Sequence, residues 1–277
     1  MKWFLKAIRK RKVSLIAFSY LMLLVVIAVF APLITGYDPL RIDPSIRLFN
    51  PRGTHLFGTD SFGRDVFSRT VYGTRQTLLT GVSIVGFSLF FGTFVGAISG
   101  YFKRLGSVLM RIMDILMSFP DIMLALALMA IFGRGLFNVI IAIGIVFTPR
   151  IARLMFGLTL EIRETTYIES ARALGVSHWR ILTHYIIINA LSPIIVQASF
   201  TFAFCIIAVA SLDFLGVGVP PYIPSWGGIV SEGRTYLTRA PWIMAFPGIA
   251  IVLTTLSLNL VGDALRDALD PRLRRLL

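Results

Sequence analysis

Apolar and polar positions along the chain change in blocks of about 20 residues. Six apolar runs stand out, at about Leu15–Ile34, Leu78–Ser99, Val108–Phe132, Val139–Leu158, Pro193–Leu215 and Trp242–Val261. A helix rises about 1.5 Å per residue, so each run is long enough to cross about 30 Å of hydrocarbon. The pattern predicts an all-α polytopic membrane protein with six transmembrane helices. The first run follows the basic stretch MKWFLKAIRKRKVS. It is full length and has no A-x-A-like cleavage site, so it reads as an uncleaved span.

One polar stretch between the runs has a pattern of its own: TTYIESARALGVSHWR, Thr165 to Arg180. Thr166 and Glu169 have the T-x-x-E spacing of a capping box. Gly175 can end that helix in the left-handed conformation, with Val176 touching back on Ala171. Ser177 can cap a second helix, in which Trp179, Leu182, Tyr185 and Ile186 share a face. A first helix of about eight residues is marginal in water alone and needs a surface. Ile168, Ala171 and Leu174 form its candidate contact face. Spacing alone leaves open whether that surface is lipid headgroups or a protein. Glu161, Glu164 and Glu169 count against an anionic lipid surface.

Composition agrees with the membrane class. Of 277 residues, 56% are hydrophobic and 15% charged, against roughly 25% charged in soluble domains. A net charge of +13 would suggest nucleic acid in a soluble protein; here the cations orient the chain in the bilayer, and no nucleic-acid partner is expected. With the N-terminus placed inside, two thirds of the 27 Lys and Arg residues fall on inner segments. Both termini and the Thr165–Arg180 stretch are then cytoplasmic. The first outer loop runs against this bias with Arg41, Arg47, Arg52, Arg64, Arg69 and Arg75. Asp38, Asp43, Asp60 and Asp65 share that loop and predict local pairing. The lone cysteine, Cys205, excludes an intrachain disulfide and reads as a buried packing residue.

No G-x-x-x-x-G-K-[ST] phosphate loop is present, so the chain has no P-loop of its own. His55, His178 and His184 are dispersed, and no metal or cofactor is expected. Candidate pathway residues are Asp114, Asp121 and Asp213, because ionisable groups in spans mark ion and substrate routes. Bland readings stand beside them: Asp114 self-pairs with Arg111, Asp121 sits in a turn distorted by Pro120, and Asp213 ends a span near water. Pro120, Pro149 and Pro247 each remove a helical hydrogen bond and mark spans three to six as candidate pathway wall. Gly92, Gly96 and Gly100 allow close helix approach, within this chain or to a second one. An ion-coupled secondary carrier is the rival class, but it has no need of the capped loop.

The segment ESARALG, Glu169 to Gly175, resembles the E-A-A-x-x-x-G signature of ABC importer membrane subunits, with Ser170 in place of the first alanine. Ile188 stands where proline is usual, so the second helix can run on into span five. FGTDSFGRDVFSRTVYGTR (Phe57–Arg75), PSWGGIVSEGR (Pro224–Arg234) and GDALRDALDPRLR (Gly262–Arg274) are similar to the oligopeptide and dipeptide permeases, C-type subunit. Asp213 falls where that branch more often has serine. The resemblance implies a type I importer fold in a bacterial inner membrane. Its partners would be a second permease subunit, two cytoplasmic ATPase subunits and an extracytoplasmic substrate-binding protein. The cargo would be di- or oligopeptides, with nickel complexes or glutathione as alternatives. Glu169, Ser170, Ala171, Leu174 and Gly175 would couple the ATPases to the pore. Residues 1–76 would hold the tail, first span and outer loop; residues 77–277 would form a five-helix core with its coupling loop at about 161–185.

Overall fold

A computed structural model describes residues 12–269. The basic residues up to Arg11 and from Arg272 onward, used above to orient the chain, lie outside that range. Helix α1 (Lys12–Val29) and the short α2 (Ala31–Ile34) lead into a loop holding one 3-10 turn, Pro44–Ile46. Then follow α3 (Val66–Tyr101), α4 (Lys103–Met117), α5 (Asp121–Phe132), α6 (Leu136–Arg163) and α7 (Thr166–Ala173). The helical turn α8 (His178–Arg180), a π-helical segment (Ile181–Ile187) and α9 (Ile188–Phe214) form one continuous rod. The lipophilic series closes with α10 (Trp226–Gly233) and α11 (Trp242–Leu269). Among the described residues the only extended pairings are two isolated bridges. α3 carries the chain without a break across residues 76 and 77.

Five helices are long and apolar enough to cross a membrane: α1, α3, α6, the His178–Phe214 rod and α11. The third apolar run is different. Instead of one straight helix it forms α4 and α5, which meet at 97°. Proline at 120 lacks an N–H and disfavours helical geometry at the residue before it, so the helix stops at Met117 and restarts at Asp121. Neither limb spans alone, at about 22 Å and about 18 Å. Together they make one crossing, and the packing of α3 on α6 shows why. Ser88 bonds to the Gly144 carbonyl, Gly92 abuts Ile151, Gly96 abuts Ala152 and Met155, and Gly100 abuts Thr159. Residue numbers rise together along both helices, so α3 and α6 are parallel. The chain between them must return to the opposite face. The count is therefore six crossings, the third of them bent. Pro149, Pro193 and Pro247, by contrast, stay inside α6, α9 and α11, which are not broken.

The α3–α6 seam is the centre of the core. A Cβ on Gly96 would lie 2.3 Å from the Ala152 carbonyl oxygen, and one on Gly100 would lie 2.5 Å from Thr159 Cβ. These glycines thus serve packing inside this subunit. Ile84, Val139, Ile143, Phe147 and Cys205 are buried alongside, in the half of the core nearer the loop end. Ala97, Met155, Ile181, Leu182, Ile186 and Ala190 fill the other half. α1 lies against α11 and α3, and Tyr20 and Thr254 share a hydrogen bond of 3.4 Å across it.

A Gly96→Leu variant should overpack the seam, at a cost of typically 1–3 kcal/mol or more. It should lower the thermal midpoint of the purified subunit measurably. Gly86→Ala on the same helix, where nothing lies within 4 Å, should leave the midpoint level or slightly raised.

Candidate functional site

The stretch from Thr165 folds as a short helix, a turn and a second helix. Thr165, not Thr166, is the N-cap of α7. Its hydroxyl donates back to the Ile162 carbonyl at 2.5 Å and accepts no cap bond from α7. The expected capping box does not form, because the helix begins one residue earlier than the T-x-x-E spacing requires. Glu169 therefore makes no reciprocal cap bond; it lies exposed in the first turn. A carboxylate there favours the positive end of the helix. The C-terminus matches expectation. Gly175 takes φ +78°, the Gly175 amide donates to Arg172 and the Val176 amide to Ala171, both at 3.0 Å. This is a complete Schellman closure. Ser177 occupies the N-cap position of α8 without a side-chain bond.

The two faces of α7 have opposite environments. Ile168 is buried in a cluster with Met155, Ile181 and Leu182 of the same chain, and Ala171 is buried too. Their assignment to an outward contact face is thus corrected: they seat the helix on its own bundle. Leu174 is 84% exposed, and Glu169, Ser170 and Gly175 are exposed beside it. In the second helix Ile181, Leu182 and Ile186 turn inward, while Trp179 is 59% exposed. The seat is fastened by Tyr101 at the end of α3. Its hydroxyl lies 2.7 Å from His178 Nδ1, and the Arg172 guanidinium stands over its ring at 5.4 Å. Arg163 adds a bond of 2.7 Å to the Gly100 carbonyl.

The candidate carboxylates separate into two kinds. Asp114 pairs with Arg153 of α6, not with Arg111. Asp121, the first residue of α5, accepts from Arg150 Nη2 at 2.5 Å. The two arginines, one helical turn apart, hold both limbs of the bent span, and all four side chains are at least one-third exposed. Asp213 differs: it is buried, and accepts from the Val219 amide at 2.6 Å and the Ser225 hydroxyl at 2.8 Å. Glycines 218 and 227 crowd it so closely that a Cβ on either would collide with its oxygens. Asp213 is a staple between α9 and α10, not an open pathway group.

Sequence reasoning missed a cluster on the opposite face of the bundle from α7. Asp60 accepts from Arg64 Nε at 2.7 Å and from Arg69 Nη1 at 2.5 Å. Glu232 of α10 accepts from Arg64 at 2.5 Å and from both terminal nitrogens of Arg69, at 2.6 and 3.0 Å. Local pairing in the arginine-rich loop was expected; the fourth member arrives from α10, far away in sequence. The available signal was that Glu232 is the lone acid between Asp213 and Asp263. His55 joins Asp65 at 2.9 Å, and Trp226 and Trp242 donate to the Thr70 and Thr59 carbonyls. Ser45's hydroxyl and amide hold the Asp43 carboxyl below its ordinary range.

Six crossings around a tight helix pair, with a small helix seated at one face and a locked loop assembly at the other, are the build of a transport permease. Its kind follows from likeness to known proteins. The family described as "Binding-protein-dependent transport system inner membrane component" matches residues 88–275. "N-terminal TM domain of oligopeptide transport permease C" matches residues 2–51. A dipeptide transport system permease protein of Alkalihalophilus pseudofirmus is 43% identical over 97% of this chain and 89% of its own. A di/tripeptide transport system permease protein of Pseudomonas aeruginosa is 38% identical over 99% and 93%. A glutathione transport system permease protein of Pectobacterium atrosepticum is 41% identical over 96% and 89%. In fold, the chain resembles the MetNI methionine ABC transporter, with a TM-score of 0.60 and 23% identity over 72% of this chain and 96% of the other. The chain belongs to the ABC importer permeases of the oligopeptide and dipeptide family, and it is a multi-pass inner-membrane protein.

Asp60→Asn should leave two buried guanidinium groups short of charge. Breaking a buried pair of this kind costs about 3–5 kcal/mol, enough to lower the thermal midpoint and expose the loop to protease. Glu232→Gln should act in the same direction but less, since Glu232 is the more exposed acid. An unchanged midpoint in both would show that the cluster does not hold the loop.

Proposed function

We propose that this chain is one half of a two-subunit pore that imports di- or oligopeptides by alternating access. A homologous second permease subunit would complete the pore. Two ATPase subunits would bind on the face that carries α7, and a substrate-binding protein would deliver cargo to the opposite face. Both termini would then be cytoplasmic, since six crossings return the chain to its starting face. The observation that carries this reading is the exposure of Leu174, Glu169 and Ser170 on a helix whose other side is locked to its own bundle. An apolar side chain left in water on a short, braced helix suits a partner's groove, and movement of that partner would pass directly into α3, α6 and α9. The glutathione relative supports glutathione, itself a peptide, as an alternative cargo. Asp114 and Asp121 would face the pathway: an ion pair at membrane depth belongs toward water or protein, since a charge facing lipid costs about 2.5–3.5 kcal/mol on insertion scales.

Orientation and coupling are tested together. In a Cys205→Ala background, Gly53→Cys and Tyr222→Cys should react with an impermeant thiol reagent outside intact cells, while Ser177→Cys should not; the reverse would invert the topology. Leu174→Asp should weaken ATPase co-purification about 10- to 100-fold, the worth of one buried leucine. Gly175→Val, forced to positive φ, should lose coupling of hydrolysis to uptake. Because Glu169 makes no cap bond, Glu169→Gln should impair coupling nearly as much as Glu169→Ala. Normal coupling in Leu174→Asp and Gly175→Val would return α7 to the lipid surface.

A further inference from the structure

Arg150 stands at the middle of α6, which runs from Leu136 to Arg163. It is about 20 Å from either end at about 1.5 Å per residue, so it lies deep in the bilayer. A guanidinium carries five N–H donors. The structure gives Arg150 one hydrogen-bond acceptor, Asp121, and gives Arg153 one, Asp114. The Arg150 side chain is 36% exposed and that of Arg153 54%. Their remaining donors therefore open outward from the chain at a depth where hydrocarbon offers no acceptor. Phe147 and Phe204 flank Arg150, with ring centroids 5.3 and 5.6 Å from its Cζ.

The four charges sum to zero. An incoming simple anion would gain the arginines but oppose the aspartates, and a simple cation would do the reverse. A molecule that carries both signs a few ångströms apart, with an apolar body between or beside them, satisfies the whole patch. We propose that the α5–α6–α9 face around Arg150 lines a water-filled pathway and binds the charged ends of a zwitterionic, peptide-like cargo. A cargo carboxylate accepts from the free donors of Arg150 and Arg153, a cargo ammonium approaches Asp121 or Asp114, and the exposed Phe204 takes an apolar side chain, while Phe147, buried in the core, backs Arg150 from within. This rests on the permease-pathway reading above and adds to it a binding site within this subunit.

The experiment uses the complete importer, with partner permease and ATPases, in lipid vesicles. Phe204→Cys in the Cys205→Ala background supplies a thiol beside Arg150. A charged thiol reagent should label it in the assembled complex, and a dipeptide with free termini should slow the labelling. The same dipeptide acetylated at one end and amidated at the other should protect poorly. Adding Arg150→Gln should raise the half-protecting concentration of the free dipeptide about tenfold or more, the worth of one charge-assisted hydrogen bond. Arg150→Lys should fall between, since it keeps the charge but loses the planar fork. Labelling only in the isolated subunit would mean that the second permease seals this face, and would overturn the proposal. So would equal protection by the free and capped dipeptides. Absence of ATP-driven peptide uptake by the unsubstituted complex would instead overturn the function reading, because the labelling judges the face without requiring transport.

Discussion

The close approach of α3 and α6 is the constraint on which the rest depends. Three glycines spaced four apart let two long helices touch backbone to side chain, with no room for a methyl group at Gly96 or Gly100. Because the two run parallel, the chain between them must cross back, and it does so through a span already broken at Pro120. Because both helices end at the same level, Tyr101 and Arg163 arrive together under α7 and brace it. A bundle that relied on hydrophobic driving force alone would lack this definition. In lipid, apolar side chains are as well solvated between helices as on them, and tight steric fit decides the arrangement.

Charge is used sparingly, and half of the ion pairs among the described residues join segments far apart in sequence. Arg69 and Glu232, Arg150 and Asp121, and Arg153 and Asp114 each link different helices. The more enclosed set lies at the loop end, where four groups of both signs share hydrogen bonds. The half-open pairs lie along the bent span. Enclosure separates a group that fixes the fold from one that remains available to something else. On that scale Asp213 belongs with the loop cluster, although its position at the end of a span resembles that of a pathway residue.

The crossings were legible because their signal is length of apolar run, which one sequence carries in full. The Gly175 turn was legible for a similar reason: positive φ narrows the choice of residue to glycine. Other features were not local. That α7 starts after Thr165 rather than Thr166, with the Thr165 hydroxyl turned back to Ile162, is something spacing cannot report. Asp114 had an acceptable partner one turn away in Arg111, and only the packing of α4 on α6 gives it to Arg153. Ala171 carries the spacing of a contact face, and only the folded chain shows that it is buried within its own subunit. The bend at Pro120 was visible as a break, whereas Pro149 and Pro247 gave the same signal inside helices that continue, because their neighbours hold the surrounding turns.

The absence of proline at position 188 leaves α8, the π segment and α9 as one rod of 37 residues. Such a rod is about 55 Å long. Its foot lies beside α7, and its far end is pinned by the Asp213 staple to the loop assembly. Tilting a rod of that length by one degree displaces its far tip by about 1 Å. A rotation too small to disturb any contact at the foot therefore becomes, at the other membrane face, a movement comparable to the slack in a hydrogen bond. Length alone gives the rod this leverage: a small angle at one membrane face corresponds to a distance at the other.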